Sequence, residues 1–353
     1  MSDTLGGALL RSLPMLAAAA SPFLLGLLMI PFLRRLKTGG RELRIGSRFL
    51  KDGSEPSLGG AVAGISFAVW FFTAALVNGL PEKNVGRDTL PALILSGCFV
   101  VMMTAVSGYD EFIKKFRGQA AGVKPLLRFI CEYLLCFSLT VLTDLYSGRD
   151  TAVLLPFSLG YIEFGILYYP LTALFMMLCI GAFKLHFCLG DDYSRSEDGL
   201  SELSGALSLA AAAIACTIAP SASARLLSQL AGAVCAGMLV WTFKPSKLIS
   251  GHSGASFIGA AFAAAVMLSK LELMFLLAAL PQLADSAFAL INHIRSKRLP
   301  RGSEEKDPKK TLHAALSESG FSNTAILLIF AVMGAISCAL CAVFGVYALS
   351  KRF

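Results

Sequence analysis

Charge is scarce in this sequence. Asp, Glu, Lys and Arg together make up 15% of its 353 residues, where a soluble domain carries about 25%. The shortage excludes an ordinary soluble fold, because the apolar excess, 56% of the chain, falls in blocks of about 17–25 residues, the length a helix needs to cross a bilayer core. Histidine is scarcer still, with four residues. The nine cysteines all lie inside apolar blocks, and none joins a histidine in a zinc-type spacing. Cys338 and Cys341 are three apart, but within an apolar run, so these thiols read as small core residues rather than ligands or a redox pair. Internal repeats, low-complexity tracts and a separate soluble domain are also lacking. The chain therefore reads as one transmembrane domain over residues 1–353.

What is present is a regular succession of apolar spans. They cover residues 13–33, 61–80, 91–108, 126–146, 166–188, 203–219, 226–243, 255–269, 272–293 and 323–348, which predicts an all-α polytopic membrane protein with about ten transmembrane helices. The first span has no small-residue cleavage site and runs straight into Arg34 and Arg35, so it is expected to be a retained helix. The net charge of +8 would suit nucleic acid, but the positions of the charges argue against that partner. Loops 34–60, 109–125, 189–202, 244–254 and 294–322, with the adjoining helix ends, hold 23 of the 31 Lys and Arg residues. The positive-inside rule puts those loops in the cytoplasm and both termini outside, in a cell (inner) membrane. The opposite loops are short, except residues 147–165, which are expected to form a hairpin or an interfacial segment.

Polar chemistry is concentrated on the basic side. The segment KDGSEPSLGG, from Lys51 to Gly60, opens the second span. A Gly59–Gly60 pair at a helix N-terminus leaves backbone amides open to phosphate, or else lets helices approach closely. Asp110, Glu111 and Lys114 follow at the inner end of the third span, where two carboxylates and a lysine one turn on can hold Mg2+ and phosphate together. An acidic loop carries Asp191, Asp192, Glu197, Asp198 and Glu202. Gly251, His252, Ser253 and Gly254 precede the eighth span, and His313 precedes the last. Asp285 falls inside the ninth span, where an ionisable group faces a cavity or a partner by default, and Pro281 should kink that helix. His186 and His293 read as structural residues at inner helix ends. Arg128 and Glu132 read as a simple i,i+4 pair.

In this order and spacing the segments resemble the polyprenyl-phosphate phospho-N-acetylhexosamine transferase superfamily, nearest to its phospho-N-acetylmuramoyl-pentapeptide transferase branch. The family TPTMGG is matched by Glu55–Gly60, and DDxxK by Asp110, Glu111 and Lys114. NLTDGLDGL is matched by Arg195–Leu203, with Asp198 at its first acidic position and Ser201 at the second; Asp191 or Asp192 competes for the role. MGDTGS is matched by Ser250–Ala255, with His252 at the metal-binding Asp. The triple His is matched by His313, Ala314 and Ala315. The resemblance implies transfer of a sugar-1-phosphate from a UDP-sugar to polyprenyl phosphate with release of UMP, in cell-envelope or peptidoglycan synthesis.

On that basis Asp110, Glu111, Lys114 and Asp198 are the expected catalytic residues. Lys51, Gly59, Gly60 and His313 are expected to bind substrate. His252, Asp110 and Asp198 stand at the metal position. Mg2+ is the expected cofactor, with Mn2+ or no metal as alternatives because imidazole is a poor ligand for Mg2+. A homodimer is a further expectation. The altered positions also open an alternative, a non-catalytic relative that binds polyprenyl phosphate or a partner protein.

Overall fold

The computed structural model describes residues 2–35, 41–45, 48–52, 56–79, 90–116, 122–147, 151–154, 161–188, 199–218, 221–243, 245–272, 275–298 and 311–352. Long helices dominate them: α1 (Ser2–Arg35), α2 (Gly59–Gly79), α3 (Leu90–Phe116), α4 (Pro125–Ser147), α5 (Tyr168–Cys188), α6 (Leu200–Ile218), α7 (Ala222–Thr242), α8 (Gly251–Ser269), α10 (Leu280–Arg298) and α12 (Asn323–Arg352). Two short helices, α9 (Phe275–Ala278) and α11 (Leu312–Glu318), join them.

Among the described residues, eight helices are long and apolar enough to cross a membrane. The sixth apolar segment makes a shorter apolar helix, Leu200–Cys216. The ninth, expected as one helix over 272–293, is instead divided into α9 and α10 just before Pro281. Proline has no amide to donate, and it disfavours helical backbone at the residue before it. The chain is an all-α polytopic membrane protein, with two small hairpins among the described residues. One pairs β1 (Arg41–Ile45) with β2 (Arg48–Asp52). The other pairs β3 (Ala152–Leu154) with β4 (Tyr161–Glu163), the hairpin alternative for residues 147–165.

Helix α8 is the axis of the bundle. Its sequence GHSGASFIGAAFAAAVMLS is apolar on every side and built from small residues, and almost every residue is buried. A helix apolar all round belongs in an interior, and its Gly, Ala and Ser let neighbours approach closely. Helices α2, α3, α5, α6 and α7 pack against it. Helices α1, α4 and α12 bury far less of themselves. Leu28 on α1, Leu145 on α4 and Val343 on α12 are 74%, 74% and 67% exposed. Such surfaces suit hydrocarbon, with every backbone group satisfied inside its own helix. The α1–α7 seam is fixed by Trp241, whose Nε1 donates to the Pro22 carbonyl at 3.0 Å while its ring stacks on Phe23.

Candidate active site

Helix α3 continues two turns beyond its apolar stretch, and those turns carry the first charged cluster. Asp110 and Lys114 are one helical turn apart and therefore share a face. Lys114 Nζ lies 2.8 Å from Asp110 Oδ2. Arg128, from the first turn of α4, donates its Nη1 to the same oxygen at 2.8 Å. The turn at Gly122 delivers the Val123 amide to Asp110 Oδ1 at 2.8 Å. Arg128 Nε also reaches Glu132 Oε1 at 2.9 Å, where Lys184 of α5 arrives at 2.6 Å. Arg128 is thus a bridge between two buried carboxylates rather than half of a simple pair. Asp110 is 1% and Glu132 8% exposed, so each negative charge needs these cations beside it.

The second half of the site is the loop leading into α8. Ser253 donates its hydroxyl to Glu111 Oε2 at 3.1 Å and its amide to the same oxygen at 3.4 Å. Gly251 adopts a left-handed φ of +72°, and a Cβ there would overlap the Glu111 carboxylate. Only glycine meets both conditions without strain. His252 lies in the electrostatic field of Glu111, Asp110, Lys114 and Arg128. Glu202, almost fully buried on α6, is hydrogen-bonded by the Ser250 hydroxyl.

Gly59 and Gly60 do something other than leave amides open to phosphate. Their amides donate to the Ile249 and Ser250 carbonyls, both at 2.9 Å, and Ile249 returns a bond to Pro56 O at 2.9 Å. A Cβ on Gly60 would overlap the backbone of Ser253 and Gly254. The pair therefore stitches the start of α2 to the start of α8. Just before it, Leu58 holds φ +76°, a strained conformation for a branched side chain.

His313, expected beside a diphosphate, is otherwise engaged. Its Nδ1 lies 2.9 Å from Asp285 Oδ2, its amide donates to Asp285 Oδ1 at 3.1 Å, and its Nε2 lies 3.1 Å from Thr311 Oγ1. The same Asp285 meets His186 Nδ1 at 2.8 Å. The partner expected for Asp285 is thus a pair of histidines, one of which the sequence left as an interfacial residue. Lys51 lies in β2, but its side chain, like Asp191, Asp192 and Asp198, falls outside the described residues. Sequence reasoning also passed over Lys184, for which a cation inside an apolar span was the available signal, and it gave Ser253 no role although its segment was matched.

The assembled cluster of Asp110, Glu111, Lys114, Arg128 and His252 places two carboxylates among cations that can receive phosphate. Comparisons with known proteins point to similar chemistry. A family model described as "Glycosyl transferase family 4" matches residues 93–270. The phospho-N-acetylmuramoyl-pentapeptide-transferase of Desulfitobacterium hafniense (strain DSM 10664 / DCB-2) is 26% identical over 272 residues, 72% of this chain and 74% of that protein. The protein of the same name from Nostoc sp. (strain PCC 7120 / SAG 25.82 / UTEX 2576) is 23% identical over 339 residues, 94% of this chain and 85% of its own length. That from Desulforudis audaxviator (strain MP104C) is 26% identical over 329 residues, with shares of 91% and 95%.

Proposed function

This chain belongs to glycosyl transferase family 4, and from that premise we propose that it transfers a sugar-1-phosphate from a UDP-sugar, of the UDP-N-acetylmuramoyl-pentapeptide type, to polyprenyl phosphate. An oxygen of the lipid phosphate attacks the sugar-bearing phosphorus. The bond from that phosphorus to the UMP oxygen breaks, and UMP leaves with the electron pair. The products are UMP and a lipid-pyrophosphate-linked sugar. The observation that carries this reading is the convergence of Asp110, Glu111, Lys114 and Arg128 where α3, α4 and the start of α8 meet.

Two anionic phosphates must approach one another, so catalysis is chiefly positioning and charge neutralisation. Lys114 and Arg128 supply the positive charge. Their side chains keep 32% and 19% of their surface exposed, while Asp110 is buried between them. Asp110 acts as the strut that aims both cations. A dianionic acceptor phosphate has no proton to give up, so the carboxylate need not act as a base. Gly59 and Gly60 hold the start of α2 against the loop that leads into α8, the loop whose Ser253 binds Glu111.

The Mg2+ expected from the resemblance does not fit the described donors. Asp110 Oδ2 already accepts from two cations and Oδ1 from an amide. Glu111 Oε2 accepts from Ser253. The side chain at the metal position is the imidazole of His252, and Mg2+ demands oxygen ligands in near-octahedral array. Arg128 and Lys114 already bring cationic charge to Asp110.

The test uses full-length protein in lipid nanodiscs, with polyprenyl phosphate, a panel of UDP-sugars, and either EDTA, Mg2+ or Mn2+. UMP release with at least one sugar is expected, and Lys114→Ala should lower it about 10²–10³-fold, as loss of a transition-state donor does. Folded protein that binds polyprenyl phosphate but releases no UMP across the panel would replace this reading with that of a lipid-phosphate binder.

A further inference from the structure

A second cluster of ionisable groups shares no residue with the phosphate-handling one. His186 from α5, Asp285 from α10 and His313 from α11 are 3%, 0% and 4% exposed. Among the described residues they form the one group whose imidazole nitrogens and carboxylate oxygen could jointly hold a metal, all within 4.8 Å of one another. We propose that His186 Nδ1, His313 Nδ1 and Asp285 Oδ2 form a buried site for a divalent transition-metal ion of the Zn2+ class.

The surroundings supply what such a site requires. A metal-bound imidazole donates its other ring N–H to a fixed acceptor, which sets the tautomer and the ring plane. Here both outer nitrogens have one. His186 Nε2 lies 3.0 Å from Ser204 Oγ, and His313 Nε2 lies 3.1 Å from Thr311 Oγ1. Ser204 Oγ is itself 3.3 Å from the Ser201 carbonyl, so its proton has an acceptor there and its lone pair can face His186. The tautomer with hydrogen on Nε2 leaves a lone pair on His186 Nδ1, aimed at the Asp285 carboxylate from 2.8 Å. In that tautomer a cation must sit between the two lone pairs; with hydrogen on Nδ1 instead, the contact is a hydrogen bond and no ion is held. The backbone amide of His313 occupies Asp285 Oδ1 at 3.1 Å, which leaves Oδ2 as the ligand atom.

Two nitrogens and one carboxylate oxygen suit Zn2+, Mn2+ or Fe2+ rather than Mg2+. Metal–ligand bonds of about 2.0–2.1 Å would set neighbouring tetrahedral ligand atoms about 3.3 Å apart. The Asp285–imidazole pairs, at 2.8 and 2.9 Å, would open by a few tenths of an ångström. Phe330, fully buried, covers both rings, with its centroid 5.4 Å from His186 and 6.4 Å from His313. Ser204 of α6 lines another side. The ion would tie α10, just past its break from α9, to α5 and α11.

The experiment measures metal content rather than turnover, so it stands or falls independently of the transferase reading. Full-length protein carrying a histidine-free affinity tag is purified from zinc-supplemented medium and analysed by inductively coupled plasma mass spectrometry. About one equivalent of transition metal per chain is expected, exchangeable for Co2+ with visible d–d bands that report nitrogen ligation. Asp285→Asn and His313→Gln should lose the metal, and His252→Ala should keep it. If the first two do not fold, Thr311→Val offers a milder change, expected to weaken metal affinity about 10–100-fold. Substoichiometric metal in folded wild-type protein, with no uptake of added Zn2+ or Co2+, would overturn the proposal and leave a hydrogen-bonded clasp. So would undiminished metal in folded His186→Gln/His313→Gln protein.

Discussion

Arg128→Gln tests the electrostatic core of the site most directly. Arg128 makes one charged hydrogen bond to Asp110 at 2.8 Å and another to Glu132 at 2.9 Å. Each such bond contributes about 1.5–3 kcal/mol, and stripping a buried carboxylate of its partner costs about 3–5 kcal/mol. Neither carboxylate is left bare, because Asp110 keeps Lys114 and Glu132 keeps Lys184. The expected loss of stability is therefore near the lower end, about 3 kcal/mol. At about 2 °C per kcal/mol for a large domain, that is a fall of roughly 6 °C in thermal midpoint. UMP release should fall further, about 10²–10³-fold, because the lost cation also faces the phosphates. Arg128→Lys restores charge but has no planar fork to span two carboxylates. It should recover part of the turnover and little of the midpoint. The assays are scanning fluorimetry in detergent and single-turnover UMP release in nanodiscs. A glutamine variant with wild-type midpoint and wild-type release would refute the bridge.

Gly60→Ala should lower the thermal midpoint by about 1–3 kcal/mol worth of stability, because the added methyl overlaps the backbone of Ser253 and Gly254; an unchanged midpoint would mean the α2–α8 contact is looser than described. Trp241→Phe keeps the stacking on Phe23 but loses the bond to Pro22 O, and should cost about 0.5–1.5 kcal/mol by fluorimetry. For topology, a single cysteine at Ser303 in an otherwise Cys-less chain should react with a membrane-impermeant maleimide only from the cytoplasmic side. Labelling of intact cells there would reverse the assigned orientation.

Composition and periodicity alone determine the all-α membrane class. Uninterrupted apolar runs of bilayer length have few alternatives to spanning helices. The ninth segment was legible only as a kink at Pro281; the chain is divided there into α9 and α10. Local spacing was also enough to pair Asp110 with Lys114, because residues four apart on a helix meet regardless of the rest of the fold. What spacing cannot reveal is which distant helix end an ionisable side chain faces. Arg128 looked sufficient with Glu132, and only the approach of α4 to α3 gave it Asp110 as well. The Gly59–Gly60 amides looked available until the α8 loop supplied carbonyls for both. His186, Asp285 and His313 are separated by 99 and 28 residues; an ionisable Asp285 inside a span calls for a partner, but nothing in the spacing names the two histidines. Burying them together is what brings the three into contact. An isolated charge in that interior would be prohibitively desolvated, so the packing of α5, α10 and α11 had to bring partners to Asp285. The sequence by itself determined that this protein spans a membrane and where its charges gather; the tertiary structure decided which of those charges answer one another.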